Sequence, residues 1–201
     1  MSTLKIINAN PYIGTEQLYI YNVLTDTKSE YTTSDLIKVE PGLISVAYND
    51  NDGTVSFYAD NKKRLTSSTR VPTASFGVSG DSYELDKKLY GNVESGGALI
   101  DNTTKPVLGC FYVLTKANGE WIIRQISKFT ASKGETGVDT QGESLSFQTP
   151  TVTLEPLYGE HFQSYKREFF SDNPVFENMT LDEVLDALIA DPAATFPIEE
   201  D

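Results

Sequence analysis

The stretch VLGCFYVLTKANGEWIIRQISKFT, residues 107–130, reads as two β-prone runs on either side of Asn118-Gly119. Asn-Gly accepts positive φ at both positions, so it predicts a type I′ two-residue hairpin between Val107–Ala117 and Glu120–Thr130. Such a loop places Leu114, Tyr112 and Cys110 on one face with Ile123, Gln125 and Ser127. Val113, Phe111 and Gly109 then share the other face with Arg124, Ile126 and Lys128. Both faces carry apolar groups, whereas a sheet with one wet face alternates more cleanly. The pattern therefore predicts cover on both sides, from the Asp81–Gly91 helix, a second sheet or another subunit.

Outward from this hairpin, further strand-like runs are Leu4–Asn8, Gln17–Val23, Leu43–Tyr48, Val55–Tyr58, Thr73–Val78 and Ser144–Leu154. Two helices interrupt them. The first, Ser82–Tyr90, is read with Asp81 as N-cap and Glu84 as its box partner, and it stops at Gly91. The second follows the capping box Thr180-x-x-Glu183, with Leu181, Val184, Leu185, Leu188 and Ile189 at helical spacing. That apolar stripe requires a partner. The expected fold is mainly β: two packed antiparallel sheets, sandwich or barrel, with a flanking short helix and a C-terminal helix. Residues 1–171 are read as the β domain and 172–201 as an acidic helix and tail.

The run AYNDNDGTVSFYADNK, residues 47–62, poses a choice between a calcium loop and a turn. Aligning Gly53 as the sixth loop position puts Asp50 and Asp52 correctly, but leaves Tyr48 first and Ala59 last, where oxygen ligands are needed. The turn reading needs only Asp52-Gly53 between two strands and is preferred. Two longer connectors follow. Asn92–Lys105 contains Gly96-Gly97, and Ala131–Gly142 is polar with three glycines. The latter reads as a loop that orders against a partner.

Composition bounds the function. The chain has 201 residues with a formal charge of −13, from 29 acids and 16 bases. Nine acids and no Lys or Arg fall between Asp172 and Asp201, which leaves 20 acids against 16 bases, or −4, for residues 1–171. Lys62-Lys63-Arg64, Lys87-Lys88 and Lys166-Arg167 are too small to form a basic groove, so specific nucleic-acid binding is not expected. No apolar stretch suggests a membrane span or a signal peptide. His161 and Cys110 stand alone in different regions, and no nucleophile elbow, P-loop or dinucleotide fingerprint occurs. The reading is of a non-enzyme without metal or cofactor.

The order GLISVAYNDNDGTVSFYADN, then DSYELDKKLYG, then GCFYVLTKANGEWIIRQISKFTASKGETGVDTQGESLSFQTPTVTLEP resembles the major tail proteins of long-tailed bacteriophages of Gram-positive hosts. The parallel covers residues 42–155. The resemblance implies a tail-tube fold in a virion protein assembled in the host cytoplasm. Its subunits would join into hexameric rings stacked around a lumen for DNA, with tape measure and tail terminator or initiator proteins as partners. On this reading Lys133, Gly134, Glu135, Thr136, Gly137, Asp139 and Gln141 form an assembly loop, and Glu143, Glu155 and Asp139 are candidates for an acidic lumen. The alternatives are a capsid decoration protein or a baseplate or adhesin β-sandwich, which would use Trp121 with Tyr112 as an aromatic platform.

Overall fold

The computed structural model describes residues 10–40, 43–50, 52–59, 62–80, 82–134 and 150–196, with backbone only for 52–59 and 62–70. The elements run β1 (Tyr12–Thr27), β2 (Glu30–Val39), β3 (Leu43–Asn49), β4 (Asp52–Ala59), β5 (Lys62–Arg70), β6 (Thr73–Val78), α1 (Tyr83–Tyr90), β7 (Val93–Ser95), β8 (Ala98–Ile100), β9 (Leu108–Lys116), β10 (Trp121–Lys133), β11 (Thr151–Pro156), β12 (Lys166–Phe170) and α2 (Leu181–Ala190), with a 3-10 turn at Pro174–Phe176 before α2. The chain is mainly β. Rather than two packed sheets, one eight-stranded sheet runs β2-β1-β9-β10-β11-β6-β3, with β12 beside the first half of β10; β4-β5 and β7-β8 are separate two-stranded ribbons.

This sheet has to curl. β2 ends at Val39 and β3 begins at Leu43, and four residue steps reach at most about 14 Å. In a flat sheet the two strands, at opposite ends of the order, would stand about 29 Å apart at about 4.8 Å per strand. Curvature brings β6 over β9, so that the Phe76 and Tyr112 rings meet edge to face at 5.7 Å although two strands separate them in the sheet. The concave side holds one core: Leu18 and Ile20 of β1, Phe76 and Val78 of β6, Cys110, Tyr112 and Leu114 of β9, Ile122 and Ile126 of β10, capped by Leu85 and Leu89 of α1. Burial pushes the Cys110 thiol pKa up, consistent with a packing role.

The convex side is covered over β2, β1, β9 and β10 by α2. Val184, Leu185 and Leu188 pack with Phe176 on Tyr19, Tyr21, Phe111, Val113 and Ile123. The capping box at Thr180 and Glu183 is formed as the sequence implied. The stripe's partner is the second apolar face of the hairpin, a cover not among those proposed for it. Ser82, not Asp81, caps α1, its side chain accepting from the Leu85 N–H; Gly91 closes it at φ 67°.

The central hairpin forms with a different turn. Gly119 N–H donates to the Lys116 carbonyl and Lys116 N–H to that of Glu120, giving a three-residue loop with Gly119 at φ 85°. Asn118 is not among the residues with positive φ, so the loop is a type I turn closed by a glycine in the left-handed region. Pairing therefore runs Leu114 with Ile122, Val113 with Ile123 and Tyr112 with Arg124, one residue off the expected register. The slip exchanges the faces of β10: Ile122, Arg124 and Ile126 join Tyr112, while Ile123, Gln125 and Ser127 join Phe111.

Two other readings change. Asp52 and Gly53 form no turn between β3 and β4; they lie inside β4, opposite Arg70 and Thr69. The Asn92–Lys105 connector contains the β7-β8 ribbon. Leu4–Asn8 and residues 144–149 lie outside the described residues.

Asp26, whose side chain is 3% exposed, pins the Gly159–Ser164 loop to the sheet. It accepts from the backbone N–H of Glu160 (3.1 Å) and His161 (3.0 Å) and from Lys128 Nζ (3.0 Å). Burial alone would raise its pKa. The His161 N–H, the Lys128 ammonium and the Glu160 N–H outweigh that effect and lower it. A folded value below the unfolded one means that the stabilisation is complete above the ordinary carboxylate range and is lost as pH falls through the lowered value. Asp26→Asn is expected to cost about 1–3 kcal/mol near neutrality, and the gap between the urea midpoints of variant and parent should close as pH falls through the lowered carboxyl value.

Candidate assembly surface

The ladder between β3 and β6 reaches Asn49 opposite Thr73, and that between β4 and β5 begins with Asp52 opposite Arg70. The two share one register, so β3-β6 and β4-β5 are the inner and outer halves of one long hairpin whose ladder breaks between the Asn49–Thr73 and Asp52–Arg70 pairs. Pro72 has no N–H to give to a ladder there. Beyond the break, β4 and β5 pair with each other and form no ladder with the main sheet. A lone two-stranded ribbon is marginal in water, and Phe57 stands opposite Leu65 within it.

The main sheet also ends in two edge strands, β2 and β3. Edge strands present unpaired backbone groups and are natural joints between chains. β3 exposes Ile44 by 55%. β2 is guarded by a bulge, where Asp35 sits at φ 54° and accepts from Asn22 at 3.0 Å. The convex faces of β3, β6 and β11 lie beyond the α2 cluster. They present Ala47, Asn49, Thr73, Thr151, Thr153 and Glu155, all exposed, with one charge among them.

Of the expected assembly loop, Lys133 and Gly134 belong to the end of the sheet. β10 continues through Lys133, which pairs with Val152, while the neighbouring Ala131 is fully buried. Lys133 Nζ lies 3.2 Å from Asp86, and Gly134 N–H donates to the Thr151 carbonyl. The strand persists because Ala131 fills the concave core opposite Leu154. Glu135, Thr136, Gly137, Asp139, Gln141 and Glu143 lie outside the described residues. Glu155 is exposed on β11, accepting from Thr130 Oγ1 at 3.4 Å. Trp121 and Tyr112 form no platform: Tyr112 is fully buried in the concave core, while Trp121 packs on Phe176 across the sheet at 5.8 Å.

Among the described residues no three His, Cys, Asp or Glu side chains gather as a metal site, and Asp50 pairs instead with Lys166 at 3.1 Å. No described helix is long and apolar enough to cross a membrane. Sequence reasoning missed Arg167, which was grouped with Lys166 as a surface charge. Its guanidinium lies 3.9 Å over Phe162 and donates to Gln125 Oε1 and to the carbonyls of Pro192 and Ala194. Its only signal was strand alternation, which sends adjacent residues to opposite faces. No protein-family model matches the chain, and no curated protein matches it.

Proposed function

We propose that this chain is a structural subunit that polymerises through its sheet edges and its β4-β5 ribbon, forming stacked hexameric rings of a bacteriophage tail tube through which DNA passes. The observation that carries the reading is the long hairpin whose outer half has no ladder with the rest of the sheet. The curled antiparallel sheet, its two edge strands and the flanking α1 support it, as does the order of motifs in residues 42–155. An acidic chain suits a conduit for a polyanion, because a cationic wall would hold phosphates through counterion release. The tape measure and the tail terminator or initiator are the partners such a tube needs. Electron microscopy of the concentrated protein should show rings or tubes that do not retain duplex DNA at low salt. Ile44→Lys on the β3 edge should abolish them without lowering the melting temperature. Particles without sixfold rings, or rings indifferent to Ile44→Lys, overturn this assignment.

A further inference from the structure

The base of the ribbon is tied to the body by a cluster of alternating charges. Lys166 Nζ lies 3.1 Å from Asp50 Oδ2, 3.4 Å from Glu168 Oε2 and 4.6 Å from the centre of the Tyr48 ring. Glu168 Oε1 in turn accepts from Arg124 Nε at 2.7 Å, and the Arg124 guanidinium lies 5.5 Å from the same Tyr48 ring centre. Tyr48 and Asp50 sit at the point where β3 gives way to β4, whereas Lys166 and Glu168 are on β12 and Arg124 on β10. β3 and β12 are not neighbours in the sheet, so the cluster spans the mouth of the curl. Its four charged side chains are between 16% and 31% exposed. Several partly desolvated charges sharing one aromatic ring form a firmer tie than an isolated surface pair.

The segment held by this tie differs in charge from the rest. Residues 52–70 contain Lys62, Lys63, Arg64 and Arg70 against Asp52 and Asp60, a net +2. The chain totals −13, so the remainder carries −15. We propose that the β4-β5 ribbon is a basic arm, set at a fixed angle by the Tyr48–Asp50–Lys166–Glu168–Arg124 lock, that docks on the acidic body of a second copy of this chain. The backbone ladder is interrupted at the arm's base, so side chains must supply the direction. An arm already pointing correctly loses less conformational freedom on docking. Opposite charges on arm and body favour association between copies and make it sensitive to salt.

This inference rests on the self-assembly reading but not on the tube, since arm docking would also yield dimers or open chains. The test is sedimentation of the full chain at low and high salt. Association should weaken as salt rises, and Lys62→Glu with Lys63→Glu should abolish it at low salt. Asp50→Asn, a change at the most exposed member of the lock, should weaken association while leaving the melting temperature unchanged. For the lock itself, spin labels at Ser67→Cys and Thr153→Cys should give one narrow distance distribution in the parent and a broader, shifted one with Lys166→Met. Association indifferent to the arm reversal, or a distance distribution unchanged by both Asp50→Asn and Lys166→Met, overturns the proposal.

Discussion

Gly109→Ala is expected to destabilise the chain by about 3 kcal/mol, at the upper end of what one added methyl costs in a packed core. Gly109 lies in β9, which is buried on both faces along Leu108–Leu114. A Cβ there would stand 2.3 Å from Tyr21 Cε2 and 2.6 Å from its hydroxyl oxygen, far inside van der Waals contact. The ring cannot swing aside cheaply. Tyr21 is fully buried, and its hydroxyl accepts from Gln125 Nε2 at 2.7 Å and from Tyr31 at 3.2 Å. Making room breaks both bonds or shifts β9 against β1. For a chain of this size the loss corresponds to a drop of about 6–12 °C in Tm. Tyr21→Val in the Gly109→Ala background should cost less than the sum of the two single changes, because the methyl then enters the space the ring left. Additivity of the two would show that the close approach does not set the cost.

What the sequence disclosed about this fold divides by range. α2 was fully legible, because its cap, stripe and stop all lie within a dozen residues. The central hairpin was legible in place but not in register. The choice between a two-residue and a three-residue loop turns on whether Ala117 stays in the strand and Asn118 takes positive φ, and the Asn118-Gly119 dipeptide tolerates either. β2 escaped notice because Ser34-Asp35 breaks its alternation at a bulge that only pairing with β1 explains. β12, Lys166–Phe170, reads as two cations, an acid and two aromatics until β10 is placed beside it. The candidate assembly surface was least legible. Asp52-Gly53 has strong turn chemistry, yet the register between β3 and β6 carries it straight through as part of a longer ladder, a long-range pairing that overrides local preference.

The polar group around Arg167 offers the second large effect, and here two opposing terms must be weighed. Arg167 has no carboxylate within ion-pair distance among the described residues; neutral acceptors satisfy it, Gln125 Oε1 at 2.6 Å and the carbonyls of Pro192 at 2.7 Å and Ala194 at 3.1 Å. Burial lowers its pKa, which marks the strain of desolvating a cation. Arg167→Met relieves that strain but gives up the guanidinium's contacts with the Phe162 and Phe169 rings, at 3.9 Å and 5.1 Å. It also strands the acceptors. Pro192 O keeps the Gln125 Nε2 donor at 2.8 Å, but Gln125 Oε1 and Ala194 O lose their donors. The fully buried Gln125 oxygen costs about 1–3 kcal/mol as an orphan and the half-buried Ala194 carbonyl less, so the stranded acceptors outweigh the relief, and a net loss of about 1–3 kcal/mol is expected. The loss should appear first where the bonds were. The Ala194 amide should exchange with solvent faster, and the chain after α2 should become the earliest point of proteolysis, since beyond Pro192 it is then held by apolar packing of Ala193, Ala194 and Phe196, the last edge to face with Phe169 at 5.5 Å and Phe176 at 5.2 Å. Arg167→Lys, which keeps one cationic donor for these acceptors and leaves the Gln125 bonds to Tyr21 and Pro192 in place, should be more stable than Arg167→Met. A lysine variant no more stable than Arg167→Met would place the cost in the lost guanidinium packing over Phe162 rather than in the hydrogen-bond network.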